Sequence, residues 1–421
     1  MFGISLGQPA CDIRRFAVNR GAVVLLIAGC ALAAAVCEAR AAENGPEIAA
    51  LGERIFHDPS LSASGKQACS TCHDPAQAHA QSNGLSVQLG GPNLDVPGFR
   101  AVPSLRYLNA NLPFFFQNDG TPTGGFDRDG RANDLVAQAE RPFLAAHEMA
   151  NGDAASVVAK LSRTDYADAF SAAFGEHVFE DADRAFLAAR YAVSAYESSA
   201  SEFRPFSSKF DLFLQRKAML SAQELRGFAA FNSQAKGGCA GCHPSTRQAD
   251  GSPPVFTDYT YDNLGVPRNP QIPANADPAY FDMGLCGPER EDLASSIDFC
   301  GQFKVPTLRN VATRKVIFHN GYFHTLREAI AFYVQRDTNP DKWYPRDTSG
   351  GVHKFDDVPP LLARNVNQTE VPYNRHPGQA PALSESDIDD VVAFLRTLTD
   401  GYDPATNTAD PARDIAASIK N

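Results

Sequence analysis

Two five-residue strings carry the residue types needed to attach a cofactor covalently: Cys69-Ser70-Thr71-Cys72-His73 and Cys239-Ala240-Gly241-Cys242-His243. Each reads Cys-x-x-Cys-His, the attachment signature of a c-type haem. Two thiols three positions apart can both reach the vinyl groups of one porphyrin, and the adjacent His then lies under the iron as its proximal ligand. Two redox dithiols or one shared zinc would also use the cysteines, but would leave the following His unexplained in both copies. The spacing therefore predicts two covalently bound haem c groups, with His73 on iron 1 and His243 on iron 2.

The other five of the nine cysteines divide by position. Cys11, Cys30 and Cys37 lie in the N-terminal stretch. Cys286 and Cys300 lie in a Gly/Pro-rich loop. In an oxidising compartment that pair reads most simply as a disulfide, with two buried free thiols as the alternative.

The N-terminus has the layout of an export signal. Arg14, Arg15 and Arg20 form a basic region, Gly21 to Val36 an apolar one, and Ala39-Arg40-Ala41 a small-x-small cleavage site. Ile27-Ala28-Gly29-Cys30 also resembles a lipobox, but the apolar run continues past Cys30, which favours cleavage near Ala41 or Ala42. Haem attachment in an exported chain implies the bacterial periplasm. No later segment is apolar for long enough to span a bilayer. The net charge is −11; residues 1–41 contribute +2, leaving −13 for the remainder. That balance argues against nucleic acid as a partner and permits a basic redox partner without requiring one.

Helices must position these strings. Ile48, Leu51 and Ile55 have helical apolar spacing in a segment ended by His57-Asp58-Pro59, just before the first string. Ser221-Ala222-Gln223-Glu224 is a capping box starting a similar helix before the second string. A third helix, capped by Ser384 and Asp387, is apolar at Ile388, Val391, Val392, Leu395 and Leu398. Asp181 to Ser198 reads as a helix, and Asp134–Leu144 and Ala154–Phe174 have helical composition. Residues 81–130 and 244–300 read as loops, and His353–Pro381 as a Pro/Asn-rich excursion with few apolar anchors. The 421 residues have room for about two or three domains. The expected fold is mainly α: two cytochrome c-like helical domains, each binding one covalent c-type haem, with long loops. The expected boundaries are 1–42 for the signal peptide, 43–200 for the first domain and 201–421 for the second.

Two further segments carry a specific resemblance. One is Asp129-Gly130-Arg131-Ala132, then Gln138, Pro142 and His147-Glu148-Met149. The other is Phe303-Lys304-Val305-Pro306-Thr307-Leu308-Arg309-Asn310 followed by Phe318-His319-Asn320-Gly321. With the two haem strings, the chain resembles the bacterial di-haem cytochrome c peroxidase/MauG family over most of its length. The resemblance implies a peroxidatic first haem, meeting hydrogen peroxide at an open distal face, and an electron-transfer second haem. It also implies that Glu148 is the distal acid–base and Gln138 the distal amide. The chemistry suits them, since a carboxylate must take a proton from bound peroxide and return it to the departing oxygen. In the family the residue fourteen positions after the His of His-x-Gly is the second haem's distal ligand, Met in ordinary peroxidases and Tyr in MauG-like proteins. Counting from His319, it is Tyr333 here. A phenolate stabilises high-valent haem and lowers its potential, whereas Met raises it. On residue type alone Tyr333, on a helix capped by Thr325 and Glu328, reads as a core aromatic.

Departures from the family pattern also bear on the reading. Arg128 stands where the family has a Trp between the haems; the only tryptophan is Trp343. The inter-haem route could then use Tyr107, one of Phe114 to Phe116, or direct tunnelling. The loop after the first string offers only His79 to close the peroxidatic iron, which implies a permanently open one. The family's interdomain calcium is held partly by an Asn whose position here is Ala101, and the matching carbonyl positions are Arg314 and Val316. One Ca2+ between the domains stays an open expectation. The stretch Tyr333 to Pro340, with Trp343-Tyr344-Pro345, is similar to the MbnH-type branch, whose members act on tryptophan in a partner protein. The resemblance thus implies a peroxide-driven oxidase of a protein partner. The alternatives are a cytochrome c peroxidase fed by a small periplasmic cytochrome or cupredoxin, and a di-haem electron carrier without peroxide chemistry.

Overall fold

The computed structural model describes residues 45–418; the expected export signal, its cleavage sites and Cys30 lie outside them. In chain order the helices are α1 (Gly45–His57), α2 (Cys69–Cys72), α3 (Leu135–Gln138), α4 (Glu140–Leu144), α5 (Ala154–Leu161), α6 (Ala167–Phe174), α7 (Ala182–Ser199), α8 (Lys209–Leu214), α9 (Ala222–Asn232), α10 (Leu326–Gln335), α11 (Glu385–Arg396) and α12 (Ala412–Ser418). Strands are confined to four two-residue antiparallel pairs among the described residues: β1–β2 (Leu89–Gly90, Val96–Pro97), β3–β4 (Phe115–Phe116, Pro122–Thr123), β5–β6 (Tyr261–Asp262, Phe303–Lys304) and β7–β8 (Tyr402–Asp403, Thr408–Ala409).

Local chemistry sets the helix ends. Ser221 and Ser384 form reciprocal capping boxes with Glu224 and Asp387. At α10 the box is only half made: Thr325 Oγ1 accepts from the Glu328 N–H at 3.2 Å, but the Glu328 carboxylate accepts from the Thr325 hydroxyl. The two stretches of helical composition are each broken. Pro142 has no N–H to donate to Gln138, so the helix divides there into α3 and α4. Between α5 and α6 the Thr164 hydroxyl donates to the Leu161 carbonyl at 2.8 Å, ending α5.

From Ile48 onward the chain packs as one compact unit around two apolar cores. One joins Ile48, Ile55 and Phe56 to Phe143, Phe170, Phe186, Val193 and Phe203. The other joins Phe210, Phe231 and Phe256 to Phe332, Val391, Phe394 and Leu398. Each fully buried side chain of this size contributes about 1.5–3 kcal/mol. The helix before each haem string crosses a later helix of the same core at a glycine. A Cβ on Gly52 of α1 would overlap the carbonyl of Ala192 in α7 and come within 2.9 Å of Tyr196 Cβ. A Cβ on Gly227 of α9 would overlap the carbonyl of Asp390 in α11 and come within 2.9 Å of Phe394 Cβ.

The loops are better anchored than their composition implies. In the Pro/Asn-rich excursion, Phe355, Val358, Val366 and Tyr373 are all buried. Cys286 and Cys300 form the disulfide.

Candidate active site

One continuous internal cavity is lined by both Cys-x-x-Cys-His strings, by Gln138 and Glu148, and by Tyr333. Each string closes with the same bond: the N–H of His73 donates to the Cys69 carbonyl, and that of His243 to the Cys239 carbonyl, both at 2.9 Å. The turn places both thiols and the imidazole of a string together. His73 Nδ1 lies 3.2 Å from the carbonyl of His79, and His243 Nδ1 lies 2.8 Å from that of Phe256. A proton on Nδ1 satisfies each carbonyl and leaves the Nε2 lone pair for a metal. Burial holds both imidazoles neutral, bringing His73 down to about 4.

The four cysteines are unpaired. Burial pushes Cys72 up to about 11, Cys239 and Cys242 up to about 12, and Cys69 higher still. A redox dithiol needs a lowered thiol pKa, so these sites do not suit one. They do suit two porphyrins. Arg128 and Arg314 also line the cavity, and neither forms an ion pair among the described residues. Arg128 Nε donates to the Ala101 carbonyl at 2.9 Å, and Arg314 donates to that of Val102, leaving its Nη1 without a partner. Burial lowers Arg128 to about 9 and Arg314 to about 10. Unpaired buried guanidiniums fit an anionic cofactor, and the thiol–thiol–imidazole sets fit haem c. They do not suit a calcium ion here, because Ala101 brings no side-chain oxygen and its carbonyl already accepts from Arg128. Among the described residues no group of three or more His, Cys, Asp or Glu could hold a metal ion.

Gln138 and Glu148 are brought to the first string by α3, α4 and the turn that follows. The Glu148 N–H donates to the Ala145 carbonyl, and the Glu148 carbonyl accepts from Gly91, both at 2.9 Å. Gly90 presses so closely on the His147 backbone that any Cβ would overlap it. Gln138 Nε2 points a long, weak hydrogen bond of 3.4 Å at Asp127. Burial pushes the Glu148 carboxyl up, but the hydrogen bond and charge of His147, 3.5 Å away, together with Arg141 and Arg131, outweigh it and lower it overall. Glu148 is therefore ionised at neutral pH and able to accept a proton.

Leu326, Ile330 and Tyr333 present one face of α10 to the cavity. The Tyr333 ring lies 5.4 Å from Phe318 and 6.0 Å from Tyr373, stacked on the latter. Burial drives the Tyr333 phenol upward, and the buried cation of Arg336 opposes it. Tyr373 and Arg336 escaped the sequence reading. Tyr373 lies in the excursion, and nothing local marks it. Arg336, three residues after Tyr333, is fully buried and lies 4.3 Å from the Tyr373 ring.

The structure separates the other candidates. Tyr107 lines the cavity, whereas Phe115 and Phe116 are about two-fifths exposed on a hairpin and, with Phe114, stand off it. Trp343 packs on Phe323 and Phe332 outside the cavity wall. The His79 ring is buried against Phe203 at 4.1 Å and Glu202 at 3.4 Å; its contribution to the site is the carbonyl that holds His73.

The chain is similar to known proteins over most of its length. The family described as di-haem cytochrome c peroxidase matches residues 46–219. The methylamine utilization protein MauG of Paracoccus denitrificans is 37% identical over 381 residues, 87% of this chain and 92% of that protein. The crystal structure of the diheme peroxidase BthA from Burkholderia thailandensis superposes with a TM-score of 0.77 at 39% identity, covering 87% and 90% of the two chains. A MauG-like protein associated with microbial copper homeostasis superposes with a TM-score of 0.59 at 26% identity, covering 84% and 89%. Among the described residues no helix is long and apolar enough to cross a membrane. The chain belongs to the di-haem cytochrome c peroxidase/MauG family of peroxide-using oxidoreductases, whose cofactors are two haem c groups.

Proposed function

We propose that this chain is a periplasmic, MauG-like oxidase that uses hydrogen peroxide to oxidise a residue of a docked protein. The observation that carries the reading is one cavity shared by both haem strings, Gln138, Glu148 and Tyr333. Residues 43–200 would form the peroxidatic domain and residues 201–421 the second, with residues 1–42 removed on export. Cys69, Cys72 and His73 would hold the first haem; Cys239, Cys242, His243 and Tyr333 the second. Haem at these sites supplies irons that reduce peroxide and store the oxidising equivalents. The Gln138 amide orients peroxide by donating to it. Glu148, ionised, takes a proton from the peroxide and returns it to the departing oxygen. Tyr333, bound to iron 2 as a phenolate, would give a low potential, which suits storing oxidising equivalents better than accepting electrons from a cytochrome. Tyr333 and Arg128 both count against electron-fed peroxide removal. The resemblance of the Tyr333 to Pro340 stretch to the MbnH-type branch supports a tyrosine or tryptophan of a partner protein as the target.

The test adds one equivalent of hydrogen peroxide to the fully oxidised holo-protein and follows absorption and EPR. Prompt loss of both ferric signals is expected. A reaction that starts only after one haem is reduced would mean a gated cytochrome c peroxidase, and inertness in both states an electron carrier. In Glu148→Gln the reaction should slow by about 10²–10⁴-fold with normal haem content. In Tyr333→Met the stored oxidised state should decay sooner, with both haems still attached.

A further inference from the structure

The disulfide-closed loop from Cys286 to Cys300 has no part in the reading above, yet it reaches the peroxide side of the molecule. An open cleft of about 610 Å³ adjoins the internal cavity and shares Phe99, Asp127, Arg131, Gln138, Arg141, His147 and Glu289 with it. Glu289 comes from the disulfide loop; the other six come from residues 99–147. The loop is pinned at this wall. Arg290 Nη1 donates to the Asp129 carbonyl at 2.9 Å, and its guanidinium lies 3.9 Å from the centre of the Phe114 ring.

The pairing of charges on this wall is uneven. Arg131 is 3.2 Å from Asp127, 2.9 Å from Asp129 and 3.7 Å from Glu289. Among the described residues, Arg141 forms one ion pair, with Glu289. Glu148 forms none with a guanidinium; its partner is His147. Yet Arg141 is near enough to act on the Glu148 charge. Arg141 and Glu148 both line the cavity, so Glu148 and Glu289 are two carboxylates within the field of Arg141, and it is Glu289 that forms the ion pair with it.

We propose that Glu289 is a positioning residue for the peroxide reaction: it holds Arg141 on the outer wall of the cleft and so keeps the Glu148 carboxylate free to take the peroxide proton. The inference rests on Glu148 being the acid–base. A guanidinium bound to a carboxylate lowers its pKa by about 1–3 units, so Glu148 paired with Arg141 is a weaker base and is held away from peroxide. The disulfide keeps Glu289 in place, tying the loop at both ends.

The test measures the second-order rate constant for hydrogen peroxide with oxidised holo-protein by stopped flow. In Glu289→Gln, Arg141 turns to Glu148 and the rate should fall about tenfold with normal haem content. Adding Arg141→Gln to that variant removes the competing cation and should restore the rate to within about threefold of wild type. Glu289→Asp, which keeps the charge, should lie between, and carries the test with the same Arg141→Gln rescue if Glu289→Gln does not load haem. A wild-type rate in Glu289→Gln overturns the proposal. So does a double variant as slow as the single one, which is what a merely structural role gives. Glu148→Gln run in parallel separates the two readings. If it reacts at the wild-type rate, the acid–base assignment fails and the inference falls with it. If it is slow while Glu289→Gln is not, only the positioning role fails.

Discussion

Glu197 is a carboxylic acid that forms no ion pair among the described residues. It lies on α7, lines the cavity, is 5% exposed, and its Oε2 has no hydrogen-bond partner. Burial raises it to about 8. The native protein therefore keeps this proton up to about pH 8, while the unfolded chain releases it near the ordinary value of 4.5. Between those values the native state binds more protons, so the contribution of Glu197 to stability falls as pH rises and is fully lost above pH 8. Glu197→Gln removes the penalty. The variant should be more stable than wild type at pH 9 by on the order of 3–5 kcal/mol, and nearly equal to it at pH 4. Denaturation midpoints of the holo-proteins at the two pH values check this; a difference independent of pH would contradict it. Glu148 shows the opposite outcome of the same competition, because His147, Arg141 and Arg131 outweigh its desolvation. Residue type alone did not distinguish the two acids. Glu148 was legible only through the resemblance of its motif to the family, and Glu197 lay unmarked in the helix expected over Asp181 to Ser198.

At the scale of elements, the two glycine crossings are the sharpest constraint. Gly227→Ala places a methyl group on the Asp390 carbonyl and forces α9 away from α11. Overpacking of this kind costs about 1–3 kcal/mol, against the roughly 0.8–1 kcal/mol that Ala gains over Gly in helix propensity. The variant should unfold at lower denaturant with an unchanged slope; a gain in stability would show that the helices separate freely. The helices themselves were legible where their signals are local: Ser221 and Ser384 cap by bonds three residues long. The breaks at Pro142 and Thr164 were missed because composition sums over a stretch, whereas one missing N–H or one hydroxyl ends a helix.

Across the whole molecule, buried ion pairs tie distant segments together. Arg106, fully buried, lies 3.0 Å from Asp400 and 3.3 Å from Asp414. Asp400 also accepts from Tyr107 Oη at 2.7 Å and from Asn310 Nδ2 at 2.6 Å. Arg309 pairs with Asp211 through two bonds of 2.8 Å. Asp400→Asn leaves Arg106, among the described residues, the more exposed Asp414 as its one carboxylate partner beside the Pro411 carbonyl. Stability should fall by about 3–5 kcal/mol, read as a shifted denaturation midpoint with both haems still attached; a loss below about 1 kcal/mol would mean that Asp414 compensates. No local pattern announces such pairs, since their members stand from 90 to about 300 positions apart.

The division between what could be read and what could not follows from range. The sequence by itself marked the two attachment strings, the helices that precede them and Cys286 and Cys300 as a candidate disulfide, because each depends on bonds or spacings within about fifteen residues, while Gln138, Glu148 and Tyr333 were reached through the resemblance of their motifs to the di-haem family. Tertiary structure alone decided that Tyr373 stacks on Tyr333 from an excursion with no pattern. It also placed unpaired guanidiniums at the cavity wall and brought Glu289 within reach of Arg141. Those outcomes depend on which side chains water is excluded from and which charges are left to meet there, and both are settled only when distant segments pack.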